Sequence, residues 1–127
     1  MEKAFRALLT GSAAVTALVP ASAIAFGVVP QGTKLPAVAL HVISNRDGLT
    51  YKGPDGLWQG IVQVDCYGAD YGATVTLADT ITALLSGYRG GSFQGIFLNA
   101  RRDNYDPAAT PRAHRVSLDF ATKWRPQ

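Results

Sequence analysis

The sequence predicts an α+β fold, a mainly antiparallel four-stranded sheet with N-terminal helices and one longer helix packed on one face. Three observations carry this. Residues 112–124 alternate, with Val116, Leu118, Phe120 and Trp124 facing one way and Arg115, Ser117, Asp119 and Lys123 the other, as in a strand with one buried face. Residues 70–86 carry Leu77, Ala78, Ile81, Leu84 and Leu85 at the spacing of one helix face. The first 19 residues place Phe5, Leu8 and Leu9, then Val15, Leu18 and Val19, on two short helices.

At the N-terminus, Gly11 is placed to stop the first helix, Ser12 to cap the second, and Pro20 to end it. The same stretch also resembles a secretory leader. Lys3 and Arg6 would be its basic start, residues 7–19 its apolar segment, and Ala21-Ser22-Ala23 or Ala23-Ile24-Ala25 its cleavage site. Glu2 in the basic region and the interruptions at Thr10, Gly11, Ser12 and Thr16 favour the helices. Residues 37–44 are apolar almost throughout and read as a well-buried strand, and residues 45–57, with Asp47-Gly48 and Gly53-Pro54-Asp55-Gly56, as a turn-rich connection. A strand at 58–68 points Val62, Val64 and Cys66 inward and Gln63 and Asp65 outward. Asp70 can cap the helix and Gly87 stop it, and Gly90-Gly91 reads as a turn. A third strand spans 93–104, with Ile96, Leu98 and Ala100 on one face. The link 99–113, NARRDNYDPAATPRA, is either a long loop or the tip of a hairpin projecting beyond the sheet.

A chain of 127 residues is expected to form one domain that buries roughly two thirds of its unfolded surface, without a disulfide or metal staple. The single cysteine, Cys66, cannot pair within the chain. The net charge of +3 is unevenly placed: residues 1–87 hold five Lys/Arg against six Asp/Glu, and residues 88–127 seven against three. No run approaches the ~18 uninterrupted apolar residues that a membrane-spanning helix needs.

Catalytic signatures are sparse. There is no Gly-x-Ser-x-Gly and no Cys/His cluster; His41 and His114 fall on separate strands without metal-ligand spacing, and Cys66 points inward as an inert thiol. The Gly-rich stretch 86–95 follows a helix and enters a strand, the reverse of a phosphate-binding loop. No enzyme, metal or cofactor is therefore expected. Arg101-Arg102, with Arg112 and Arg115 at the other end of the same loop, form the constellation best suited to contact a carboxylate-bearing neighbour or DNA, since the planar guanidinium supplies orientation as well as charge. Its plainer reading is a solvated hairpin. Asp65, Asp119 and Lys123 extend the same polar face, which suits a charge-paired subunit contact or a wetted channel wall.

The order of several short motifs is more specific than any one of them. Pro30-Gln31-Gly32 with Pro36 precedes the first long strand, Val62-Gln63-Val64-Asp65 with Tyr67 leads through a turn into the helix, and Leu77-Ala78-Asp79 lies within that helix. From Ala13 to Leu85 this arrangement resembles the tail completion, or tail terminator, proteins of long-tailed phages, which include gene transfer agent relatives. The resemblance implies a structural virion protein without catalytic residues or cofactor. It would assemble in the bacterial host cytoplasm as a homo-oligomer, a hexameric ring on the head-proximal end of the tail tube. There it would meet the tube protein and the head-tail connector, with genome DNA passing through its lumen and no membrane involved. The remaining readings are a head-tail connector or minor tail component, a small secreted binding domain, and a small enzyme using His41 or His114 with Asp65.

Overall fold

The computed structural model describes residues 1–27, 36–50, 53–106 and 113–125. Helix α1 (Glu2–Thr10) ends at Gly11, and the single-turn α2 (Ala13–Thr16) opens at Ser12, whose hydroxyl accepts from the Val15 amide at 3.4 Å. A 3-10 turn at Ala21–Ala23 leads into β1 (Ile24–Phe26). Arg6 fastens this segment to α1, donating from Nε to the Ile24 carbonyl at 2.7 Å and from Nη2 to the Ala21 carbonyl at 2.9 Å. Arg6 thus ties the segment after α2 back to α1, and Phe5, Leu9, Val15 and Val19 lie wholly inside the core.

Strands β2 (Ala37–Thr50) and β3 (Gly53–Gly68) form one long antiparallel hairpin. Helix α3 (Tyr71–Leu85) follows, then β4 (Tyr88–Gly90), β5 (Phe93–Asp106) and β6 (Ala113–Trp124). Among the described residues the sheet has six strands in the order β1-β2-β3-β6-β5-β4, antiparallel except for the β1–β2 pair. The expected count of four misses β1 and β4, edge strands of three residues each, too short for alternation to register. At α3 both punctuation marks act as expected: Asp70 accepts from the Ala73 amide at 3.1 Å, and Gly87 takes the left-handed φ of +85° just after the last turn.

The core lies between the helices and one sheet face. On β3 and β6, Val62 stands opposite Phe120, Val64 opposite Leu118 and Cys66 opposite Val116, all fully buried. Thr74, Leu77, Ala78, Ile81 and Leu85 of α3 cover them, and Phe5 closes one end, edge-on to Phe93 at 6.3 Å.

Three local expectations need correction. Residues 45–50 and 53–57 are not a connection but the outer half of the β2–β3 arm, paired as far as Thr50 with Gly53. Its turn residues fit because the ladder is irregular between Asp47 and Leu49, Gly53 and Gly56 adopt positive φ, and β6 stops pairing at Trp58, leaving Pro54 a strand with a neighbour on one side only. Burial in β2 is confined to Ala37–Leu40; Val42 is 36% exposed and Ile43 more so, since β1 stops pairing at Leu40 and a bulge follows Val42. Ala100 does not share a face with Ile96 and Leu98. A bulge between Leu98 and Ala100 turns Ala100 to the outer face, opposite Asp119. Of residues 99–113, the part up to Asp106 is strand and not loop, paired as far as Asp106 opposite Ala113 while β6 stays paired with β3 to His114 opposite Gly68; residues 107–112 lie outside the described residues.

Phe120→Ala should cost about 3–5 kcal/mol in urea unfolding, the range for emptying a fully buried aromatic site. Val42→Ala, on the same face but beyond β1, should cost markedly less.

Candidate functional site

The register places two sets of side chains on the outer sheet face, away from the helices. Toward the β5–β6 tip, Ala39 of β2, Asp65 of β3, Ser117 of β6 and Arg102 of β5 stand in one row, and His41, Gln63, Asp119 and Ala100 in the next. Asp65 is only 3% exposed and is held from several sides. Ser117 Oγ donates to its Oδ1 at 2.6 Å, Gln63 Nε2 donates to the same oxygen at 2.9 Å, and His41 Nε2 lies 3.6 Å from Oδ2. A carboxylate taken out of water needs such donors.

Asp119 receives Arg102 through both guanidinium nitrogens, at 2.8 and 3.2 Å, a two-point fork with Arg102 about half exposed. Arg101, next in sequence, faces the other way and pairs with Asp79 of α3 at 2.7 Å. The adjacent arginines therefore straddle β5. Arg115 lies opposite Tyr67 on the outer face, and its Nε is buried without a partner. Lys123 is exposed on the same face, opposite Gln59. The structure thus brings Asp65, Asp119, Arg102, Arg115 and Lys123 to one face and puts Arg101 on the other. Arg112 and the Pro30-Gln31-Gly32 motif lie outside the described residues.

Sequence reasoning missed the partners that hold these charges. Asp79 on α3 and Ser117 on β6 reach their partners across more than twenty residues, a distance at which no local pattern speaks. It also missed Tyr71, whose hydroxyl donates to Asp103 at 2.5 Å and whose ring meets His114 edge-on. That hydrogen bond raises the phenol above its ordinary range.

Chemically, the arrangement does not activate a nucleophile. Ser117 gives its proton to a carboxylate and is buried, His41 reaches the far carboxylate oxygen and not the serine, and His114 belongs to the helix side with Tyr71. Among the described residues no three His, Cys, Asp or Glu side chains gather to hold a metal ion. Burial lifts the Cys66 thiol to about 12, with neighbouring Asp65 adding to the effect.

A sheet packed under helices on one face and carrying ordered, partly exposed charges on the other defines a small α+β protein with an open, charged sheet face. Residues 3–124 match the family model described as tail completion protein gp17, and the chain belongs to that family of structural phage-tail proteins. Among solved structures, a chain of "Virion of native gene transfer agent (GTA) particle" shares the fold, with a TM-score of 0.64, 19% identity, and coverage of 94% of this chain and 90% of that one. A comparison with curated proteins finds no match.

Two outcomes follow from this geometry. Ser117→Ala should destabilise the protein by about 1–3 kcal/mol in chemical unfolding, because the buried Asp65 carboxylate loses a donor. Because the Cys66 thiol titrates near 12 when folded and near 9.0 when not, its share of stability is intact below pH 9 and is lost as pH rises toward 12. The alkaline fall in melting temperature should be shallower in Cys66→Ala than in the natural protein.

Proposed function

We propose that the protein, acting as a single domain, closes the head-proximal end of a phage or phage-like tail tube as a hexameric ring, ends tube growth and offers the surface to which the head connector joins. It does so as a structural part of the virion, without catalysis or cofactor, and genome DNA passes through the ring without sequence-specific contact. Family membership supports a tail role. The observation that carries the reading further is the division of the sheet into an inner face packed under the helices and an outer face of ordered charges, together with the β2–β3 arm, which runs on beyond the last β3–β6 pair at Trp58. A ring wedged between tube and connector needs axial as well as sideways contacts, and the arm and the open face are surfaces suited to them.

The sideways contact falls to Arg102, Arg115, Asp119 and Lys123 on the outer face, which the enclosed Asp65 holds in shape, and to Arg101 on the helix side, with Arg112 proposed to join them. Beyond Leu98 no described strand pairs with the free edge of β5, so Arg101 and Arg102 can grip a neighbour from both sides of that edge.

The Arg101→Glu, Arg102→Glu double variant tests this. Each pair it breaks has one well-exposed member, Asp79 or Arg102, so its melting temperature should fall by only about 5 °C. Electron microscopy of tails should show loss of the terminal ring and tubes of irregular length. Normal tails from the double variant would remove the arginines from the interface, and a natural protein that stays monomeric and binds no tail would overturn the ring.

A further inference from the structure

Among the described residues, five large apolar side chains are exposed: Leu18, Val42, Ile43, Tyr71 and Phe97. The two aromatic ones sit in opposite electrostatic settings. Phe97, 46% exposed, lies on the outer face in a row with Ala121 and Ile61. Its ring occupies the space above Gly95, where a Cβ would stand 2.8 Å from the ring, so the glycine is what lets the aromatic lie flat on the sheet. Phe97, Ile61 and Ala121 line a shallow depression of about 210 Å³, with Arg46 and Lys123 also lining it. Neither cation is in an ion pair among the described residues, and no carboxylate lines the hollow. It is an apolar seat of aromatic size with uncompensated positive charge.

Tyr71, 49% exposed, is its counterpart. It opens α3 on the helix side, at the Gly68 end of β3, whereas the depression lies toward the Trp58 end on the other face. Two carboxylates flank it, Asp70 at the helix cap and Asp103 on its hydroxyl; the nearby Arg101 is committed to Asp79, and His114 meets the ring edge. This is an aromatic knob with net negative surroundings.

We propose that the two patches are the halves of one contact between copies of this chain: Tyr71 of one protomer, with Asp70 and Asp103, seats in the Phe97 depression of the next, between Arg46 and Lys123. Because the halves lie on opposite faces and opposite ends of the same chain, the contact is heterologous, each copy offering a knob to one neighbour and a seat to the other. It buries an aromatic pair at its centre with charge-assisted contacts at its rim, the composition of an interface anchor. The inference rests on the ring reading and assigns its sideways partner.

The test replaces Phe97 with a photo-crosslinking analogue, Phe97→p-benzoylphenylalanine, in the full chain assembled on tails, using a mixture of isotopically light and heavy copies. Irradiation should join residue 97 to the peptide that contains Tyr71, with light and heavy copies mixed in the product. Arg46→Glu with Lys123→Glu should lower that crosslink at least tenfold while circular dichroism is unchanged. Crosslinks to any other stretch, to the tube or connector protein, or none at all in particles whose six-fold ring is visible would overturn the contact and leave the ring standing. Particles without a ring would overturn both.

Discussion

Val62, Val64 and Cys66 on β3 stand opposite Phe120, Leu118 and Val116 on β6, and this pairing is what the rest of the molecule hangs on. A slip of one residue would turn all of a strand's inward side chains to the outer face and drive Asp65 or Asp119 under the helices. Each large apolar side chain kept inside contributes about 1.5–3 kcal/mol, whereas a carboxylate buried without partners costs far more. The register therefore has no close competitor. Once it is set, α3 has only one surface on which its own buried stripe can pack, and Phe5 on α1 has one aromatic partner, Phe93, at the end of that surface.

The same alternation that fills the core decides what the outer face can be. Positions between the buried residues carry Gln63, Asp65, Ser117 and Asp119, and the sheet holds them about one strand apart, close enough to satisfy one another. The two carboxylates have been treated differently. Asp65 is enclosed and receives donors from both β3 and β6, so it is part of the folded structure as much as any leucine. Asp119 sits nearer the rim, and its partner Arg102 is half in water.

Legibility followed distance along the chain. The helix caps at Ser12 and Asp70, the stop at Gly87 and the inward residues of β3 and β6 were readable because each is fixed by neighbours within a few residues. The β2–β3 arm was not, since Asp47-Gly48 and Pro54-Asp55-Gly56 are turn formers that only irregular pairing at an open end of the sheet can absorb. Alternation alone puts Ala100 on the wrong face, because a bulge is invisible to a rule that assumes none. The charged face was foreseen as a list of residues but not as a circuit. That Arg101 and Arg102 separate to Asp79 and Asp119 depends on the sheet and helix having already met.

The difference between the two carboxylates bears on how a surface can be both ordered in the free protein and available to a neighbour. An ion pair with one member half in water contributes only about 1 kcal/mol, so in the proposed ring Arg102 would exchange Asp119 for a carboxylate on a neighbour with modest effect on the fold. The exchange improves as water is excluded, because the same charges attract more strongly in a drier setting. Asp65 cannot be recruited in this way, since removing Ser117 or Gln63 from it would strand a desolvated charge. Recruitable charge is thus confined to the rim and to the free edge of β5, while the middle of the outer face stays rigid behind it. In the proposed ring, a subunit built like this would keep its shape before assembly and adjust only where a partner touches it.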